Sequence, residues 1–251
     1  MAFGWWLAVR TGKSGWVDAT WTFAVGVCGV AVAFAPVGGW QQDATRTWLV
    51  AALAAIWSLR LGLHIVSRTL EGGDDPRYAQ LRKQWGNSWR TRLFLFLQIQ
   101  AACAIPLVVA IGAAGHNPAP DIRIADWIGV LILVTAIAGE GIADRQLRAF
   151  ASKPANKGKV CDVGLWAWSR HPNYFFEWLG WLAYPVIAIE LSWAYPWGWA
   201  ALGAPAVMYW LLVHVSGIPP LEEHMLRSRG DAFRVYQARV NAFWPGPPRS
   251  V

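Results

Sequence analysis

The strongest constraint on this chain is a recurrence of apolar stretches about twenty residues long. Six of them, at about 17–36, 47–67, 93–113, 124–143, 174–193 and 197–215, can each cross a hydrocarbon core of roughly 30 Å as an α-helix. In lipid every backbone N–H and C=O has to find its partner within the protein, so runs of this length fold as helices. The prediction is an all-α polytopic membrane protein with six to seven transmembrane helices. The seventh crossing depends on whether 1–15 or 216–226 dips into the bilayer. Composition agrees, since 55% of the 251 residues are hydrophobic, 19 are Trp and only 15% are charged, which is too apolar and too aromatic for a soluble domain.

The length suits one domain over 1–251, with no linker, low-complexity run or internal repeat to divide it. Cys28, Cys103 and Cys161 lack metal-ligand spacing, so neither a metal site nor a structural disulfide is expected. The opening "MAFGWWLAVRTGKSG" carries aromatics where a signal peptide has its charged region, and the first helix is expected to be retained.

With six crossings the loops alternate sides, and the cations separate sharply. Arg10 and Lys13, the 68–92 loop (Arg68, Arg77, Arg82, Lys83, Arg90, Arg92), the 144–172 loop (Arg145, Arg148, Lys153, Lys157, Lys159, Arg170) and the tail (Arg227, Arg229, Arg234, Arg239, Arg249) share one face, which therefore holds 19 of the 22 Lys and Arg residues. Only Arg46 and Arg123 fall opposite, with Arg60 inside a span. The positive-inside rule makes the crowded face cytoplasmic. The net charge of +7 is thereby a matter of topology, and nucleic-acid binding is not expected. Trp5, Trp6, Trp16, Trp48, Trp127, Trp193 and Trp197 stand at span ends, as interfacial anchors do.

Charges within spans are costly and usually face a bundle interior or a wet cavity. Asp18, Arg60, His64, Glu140 and Glu177 are of this kind. Asp18 lies near a span end, where a carboxylate can also simply face headgroup water. Arg60, His64 and Arg68 recur every four residues and draw a polar stripe along the second span. Glu140, Asp144 and Arg148 do the same on the fourth, either as an ion-pair ladder leaving the membrane or as one wall of a cytoplasmic pocket.

The stretch "GLWAWSRHPNYFFEW" (164–178) brings polar chemistry to the start of a span. Pro172 suits the first turn of a helix, with Ser169 or Asn173 available as cap. A helix N-terminus favours phosphate, and Arg170 and His171 stand just outside it with further donors. Asn173 and Glu177 share one face and can bond an amide or a ribose. Three readings of these residues stand side by side: the polar head of a large anionic cofactor, an anionic lipid headgroup, and plain interfacial anchoring. In the tail, Glu223 and Arg227 are four apart and Tyr236 follows, as a further wall or as a solvated amphipathic helix.

The segment "GLWAWSRHPNYFFEWLGW", the upstream "GIADRQLRAFASKP" and the tail "SGIPPLEEHMLRSRGDAFRVYQARVNAFWP", together with "DDPRYAQLRKQWG" and "WVDATW", resemble the bacterial branch of the steroid 5-alpha-reductase family, the group named DUF1295. Sterol reductases and isoprenylcysteine carboxyl methyltransferases carry related segments. The resemblance implies an enzyme of the bacterial inner membrane with NADPH bound in a pocket on the cytoplasmic side, formed by the C-terminal half at about 124–251. It assigns the cofactor to Asn173 and Glu177, with Trp166, Arg170, His171 and Tyr174 in the same segment, Asp144 on the preceding helix, Arg148 and Lys153 for phosphate, and Glu223, Arg227 and Tyr236 in the tail. The chain departs from the animal steroid reductases at the Tyr that holds the substrate carbonyl, a position occupied here by Ile65.

What the resemblance implies chemically is conjugate reduction of an enone: a hydride reaches the β-carbon and a proton the α-carbon of a steroid-like or other lipid substrate in the bilayer. The protein has to hold the reactants within roughly 3–3.5 Å and stabilise the growing enolate charge. Tyr78 is the candidate donor, tuned by Asp18 or His64, because a phenol stays protonated at cellular pH. The alternative is an S-adenosylmethionine-dependent membrane methyltransferase of the isoprenylcysteine carboxyl methyltransferase type. The number of basic residues near 145–170 favours NADPH. No obligate protein partner is inferred.

Overall fold

The computed structural model describes the chain except for 37–42, 73–75, 192, 194 and 251 and the side chains of 76 and 77. Asp74, Asp75 and the side chain of Arg77, part of the motif and basic-loop readings, lie outside the described residues. The helices are α1 (Ala2–Thr11), α2 (Gly15–Phe34), α3 (Ala44–Glu71), α4 (Pro76–Trp85), α5 (Trp89–Cys103), α6 (Ile105–Gly115), α7 (Ile124–Ala151), α8 (Pro172–Trp181), α9 (Ala183–Ala188), α10 (Gly203–Trp210), α11 (Ile218–Arg229) and α12 (Asp231–Arg239). No strand occurs among the described residues.

Five helical stretches there are long and apolar enough to cross a membrane: Gly15–Phe34, Ala44–Glu71, Tyr78–Gly115, Ile124–Ala151 and Pro196–Arg229. They match five of the six spans expected from sequence. The other, 174–193, is divided into α8 and α9 at Leu182. Pro185 explains the break, because its ring has no N–H to give and crowds the carbonyl four residues back; Leu182 instead closes a tighter turn on Leu179 O at 3.1 Å. Pro106 accounts in the same way for the step between α5 and α6. Trp6, Trp48, Trp127, Trp193 and Trp197 are all exposed, as side chains at a membrane–water boundary should be.

The chain forms two compact units. Unit 1 comprises 1–130 and 184–204. In it α2 packs on α3 through small residues: a Cβ added at Gly26 would stand 2.2 Å from Ser58 Oγ, and Ser58 Oγ donates to Thr22 O at 3.1 Å. Close approach of this kind is how helices associate without water to drive them. Asp43 caps α3 by accepting from Arg46 N at 3.1 Å.

Arg46 and Asp126 form a fully buried ion pair at 3.2 Å. Arg46 also donates to the carbonyls of Asn117 and Ala119 at 3.0 and 2.6 Å and to that of Asp121. Arg123 pairs with Glu190 and Asn117 Nδ2 donates to the carbonyls of Ile187 and Ala188, each at 3.0 Å. Thus the two arginines that sequence places away from the basic face each stand beside a carboxylate. Unit 2 comprises 131–183 and 205–251 and holds all the residues that the sequence nominates for the cofactor.

Candidate functional site

In unit 2, Pro172 occupies the first position of α8 and His171 its N-cap, with no side-chain cap bond. Neither expected cap, Ser169 or Asn173, takes that position. Pro172 has no N–H to offer, so helical dihedrals begin with it and push the cap back to His171. Ser169 Oγ serves the approach instead, accepting from His171 N at 3.1 Å and donating to Phe243 O at 2.9 Å. Asn173 Oδ1 accepts from Tyr174 N at 3.1 Å. A Cβ at Gly139 of α7 would come within 2.3 Å of the Phe176 ring, so glycine there lets α8 lie close against α7. Gly164 has φ +61°, a left-handed turn that brings Leu165 N to Gln146 Oε1 at 2.9 Å.

Arg170 carries the organisation of this segment. Its Nε and Nη2 donate to the two oxygens of Glu222 at 2.7 and 3.1 Å, and Nη1 donates to the carbonyls of Gln237 and Val240 at 3.1 and 2.5 Å. Gln237 Nε2 adds a bond to Glu222 Oε2 at 2.7 Å. The Nε2 atom of His171 meets Glu222 Oε1 at 3.1 Å, and since a carboxylate can only accept, that nitrogen carries the hydrogen. Burial holds the His171 imidazole below its usual range, against the pull of the Glu222 hydrogen bond. One carboxylate therefore gathers α8, α11 and α12.

The tail closes over the same segment. Tyr236 donates to Trp166 O at 2.5 Å, and burial pushes its phenol well above the usual range. Trp166 Nε1 donates to Ala143 O at 3.0 Å, and Gly246 N reaches Trp168 O at 2.9 Å. Phe175 and Trp178 of α8 pack edge-on against Phe243 and Trp244.

The remaining cofactor candidates are distributed as follows. Glu177 is buried and accepts from Trp181 Nε1 at 2.9 Å. Glu140 is buried, Asp144, Asn173 and Tyr174 are half-buried, and Arg148 and Lys153 are exposed. Tyr174 stacks on His171 with centroids 5.5 Å apart. Glu223 and Arg227 pair at 3.0 Å in the open, 59% and 54% exposed. The fold thus joins Arg170 to His171 through Glu222 and Trp166 to Tyr236, while Glu223 pairs with Arg227 at an exposed position.

In unit 1, Tyr78 is buried and its hydroxyl donates to Asp18 Oδ1 at 3.0 Å. Gln100 Nε2 approaches the same hydroxyl at 3.4 Å. Tyr78 packs in an apolar cluster with Ala8, Val17, Leu93 and Leu97. The fold therefore brings two of the three catalytic candidates together. The third, His64, is half-buried on α3, beside the buried Ile65.

Compared with known families, the chain matches the one described as "Protein of unknown function (DUF1295)" over residues 4–240. The chain belongs to the DUF1295 family. This is the group its motifs resemble, and the match takes in both units. The DUF1295 chain is also 26% identical to the uncharacterized protein C594.04c of Schizosaccharomyces pombe, in an alignment covering 96% of this chain and 75% of the relative. No solved structure matches it.

Glu222, Gln237 and Gln100 escaped the reading of the sequence. Helical spacing points to Glu223, which has Arg227 four residues on. Glu222 finds its partner Arg170 at a distance of 52 residues, and no local pattern signals that pairing.

Proposed function

We propose that this membrane protein is an NADPH-dependent reductase that saturates the C=C bond of an enone in a steroid-like or other lipid substrate. The observation that carries the reading is the hydrogen bond between Tyr78 and Asp18. Conjugate reduction puts negative charge on the substrate's carbonyl oxygen, and a buried phenol beside an acid is the donor that this charge needs. Methyl transfer makes no such demand.

Unit 2 has groups that fit the cofactor. Glu177 supplies a buried carboxylate and Asn173 a half-buried amide on one face of α8, suited to an amide or a ribose. Arg148 and Lys153 are exposed cations near the end of α7. Arg229 Nε of α11 is buried without a hydrogen-bond partner, a donor that a phosphate can satisfy. In this reading Asn173, Tyr174, Glu177 and Asp144 hold the nucleotide, and Arg148, Lys153, Arg227 and Arg229 meet its phosphates. Arg170, His171, Trp166 and Tyr236 support the wall instead, because their polar atoms are committed to one another, to Glu222 and to backbone carbonyls.

NADPH supplies the hydride when bound. Tyr78 has a single proton, which it gives to Asp18 at rest, so a substrate carbonyl has to take that hydrogen bond over from Asp18. Gln100 then remains to support the charge on the phenol oxygen. The surrounding Val17, Leu93 and Leu97 exclude water and strengthen each of these interactions. In this reading the cofactor binds on the face that carries the basic loops, which the positive-inside rule would make cytoplasmic.

The experiment is a titration of the purified protein in detergent with NADPH and, separately, with S-adenosylmethionine, following thermal stability, together with NADPH consumption against steroid and fatty enones. Stabilisation by NADPH and turnover of an enone are expected. Stabilisation by the methyl donor alone would assign the protein to the methyltransferases instead.

A further inference from the structure

Unit 2 carries a run of cations that the fold leaves unmatched. From Arg145 to Lys159 the chain has Arg145, Arg148, Lys153, Lys157 and Lys159, with no Asp or Glu among them. All five are exposed, and their side chains make no ion pair or hydrogen bond among the described residues. Other cations of the unit are matched: Arg170 stands on Glu222, Arg227 on Glu223, Arg234 on Asp231 at 2.9 Å, and Arg239 faces Asp162 at 4.0 Å. Like charges gathered on one short stretch repel one another, so their complement lies outside the chain. We propose that this stretch is a docking surface for the anionic phospholipid headgroups of the adjoining leaflet. The proposal stands apart from the reductase reading, which uses only Arg148 and Lys153 of the five.

The length of α7 gives the level at which these charges stand. About 20 residues rising roughly 1.5 Å each fill a hydrocarbon core of about 30 Å. Counted from Ile124, with Trp127 exposed at the first boundary, the helix reaches the other boundary near Ala143, and its last two turns stand among headgroups. The chain then comes back to that level. Leu165 N donates to Gln146 Oε1 at 2.9 Å and Trp166 Nε1 to Ala143 O at 3.0 Å. Residues 144–163 therefore leave the edge of the hydrocarbon and return to it. Leu147, Val163 and Trp168 are exposed along this path, apolar groups of the kind that enter the upper acyl region beside a basic surface.

The loop is held in shape before any lipid arrives. Asn156 Nδ2 donates to Phe150 O at 2.9 Å and closes the end of α7. Turns bring Asn156 N to Lys153 O at 2.9 Å, Lys157 N to Pro154 O at 3.1 Å and Lys159 N to Asn156 O at 2.9 Å, with Gly158 in the left-handed region at φ +84°. Val160 then packs on the cluster of Phe233, Tyr236 and Val240. A surface already ordered loses little freedom on binding. Three of the five cations are lysines, compact charges without the planar fork that selects one shaped ligand, and they suit many phosphates spread over a surface. Headgroups lie within about a Debye length of them, roughly 8–10 Å, so the leaflet meets this charge before a soluble partner does.

The test titrates the full-length protein, in a neutral maltoside detergent without nucleotide, with phosphatidylglycerol and with phosphatidylcholine carrying the same fluorescent acyl chain. Phosphatidylglycerol should bind at least about tenfold more tightly in low salt, and about 0.5 M salt should remove most of that preference. Arg145→Gln with Lys157→Gln and Lys159→Gln should lose most of it too. Arg234→Gln with Arg239→Gln, taken from the matched cations, should keep it. Arg145→Lys should keep it as well, since charge and not shape is read. If the triple variant does not fold, Lys157→Gln and Lys159→Gln singly should each lose part of the preference. Equal affinity for the two lipids, a preference untouched by salt or by these glutamine variants, an equal loss in the Arg234 and Arg239 variant, or loss in Arg145→Lys would each overturn the proposal. Complete displacement of phosphatidylglycerol by inorganic phosphate would make the surface a site for free anions instead. Binding of an oligoglutamate that is equally tight in phosphatidylcholine and phosphatidylglycerol nanodiscs would assign it to an acidic protein.

Discussion

The hydroxyl of Tyr78 and the carboxylate of Asp18 lie 3.0 Å apart across 60 residues of chain. The first stands at the beginning of a long apolar stretch and the second near the start of another. The bond ties α2 to α4 beside the apolar cluster that holds Val17 and Tyr78.

If that pair stabilises the enolate, Tyr78→Phe should lower turnover by about 100-fold, the usual consequence of losing one donor to a developing oxyanion. NADPH affinity should not change. Asp18→Asn should lower turnover less, since the phenol keeps an acceptor. Steady-state rates measured alongside NADPH binding check both, and undiminished turnover in Tyr78→Phe would mean that another group donates.

Asn173→Ala and Glu177→Ala should each weaken NADPH binding by roughly tens of fold, as expected when a hydrogen-bond partner is removed from a ligand. Thermal stability without ligand separates this effect from folding. Glu177→Ala should also lower stability, because it strips Trp181 Nε1 of its acceptor at 2.9 Å. Unchanged affinity in both variants would make the face structural.

Stability should fall in mild acid on account of His171. Burial sets its folded pKa below the ordinary 6.5. Above 6.5 both folded and unfolded forms are neutral and the group contributes nothing to the pH dependence. As pH falls below that value the unfolded chain takes up a proton first, so stability declines until the folded pKa is reached and then levels off. His171→Gln should flatten this decline in melting temperatures recorded between about pH 7.5 and 5. An identical slope in the variant would assign the pH dependence to other groups.

Asp126→Ala should cost about 3–5 kcal/mol, because it leaves the fully buried Arg46 uncompensated. The pair need not be net stabilising, and Arg46→Met with Asp126→Leu should recover much of the loss. Thermal unfolding of the single and double variants in detergent checks the sign; additive losses would mean that the two side chains do not depend on each other.

The helical character of the chain, five of its membrane-length stretches and the polar faces of α3, α7 and α8 were legible in the sequence, because they depend on local periodicity and on the cost of leaving a backbone unpaired in lipid. The capping of α8 was legible only in part: Pro172 marks the first turn, but its fixed geometry moved the cap to His171. What the tertiary structure alone decided are the partners. Arg170 could have taken Glu223 as readily as Glu222 on composition, and it takes Glu222, the carboxylate that also receives His171 and Gln237. Tyr78 found Asp18 across 60 residues of chain, a pairing that no local pattern announces. A side chain's neighbours along a helix follow from a fixed rise and turn, whereas its neighbours across helices depend on how whole surfaces pack, and that packing is a property of the assembled chain.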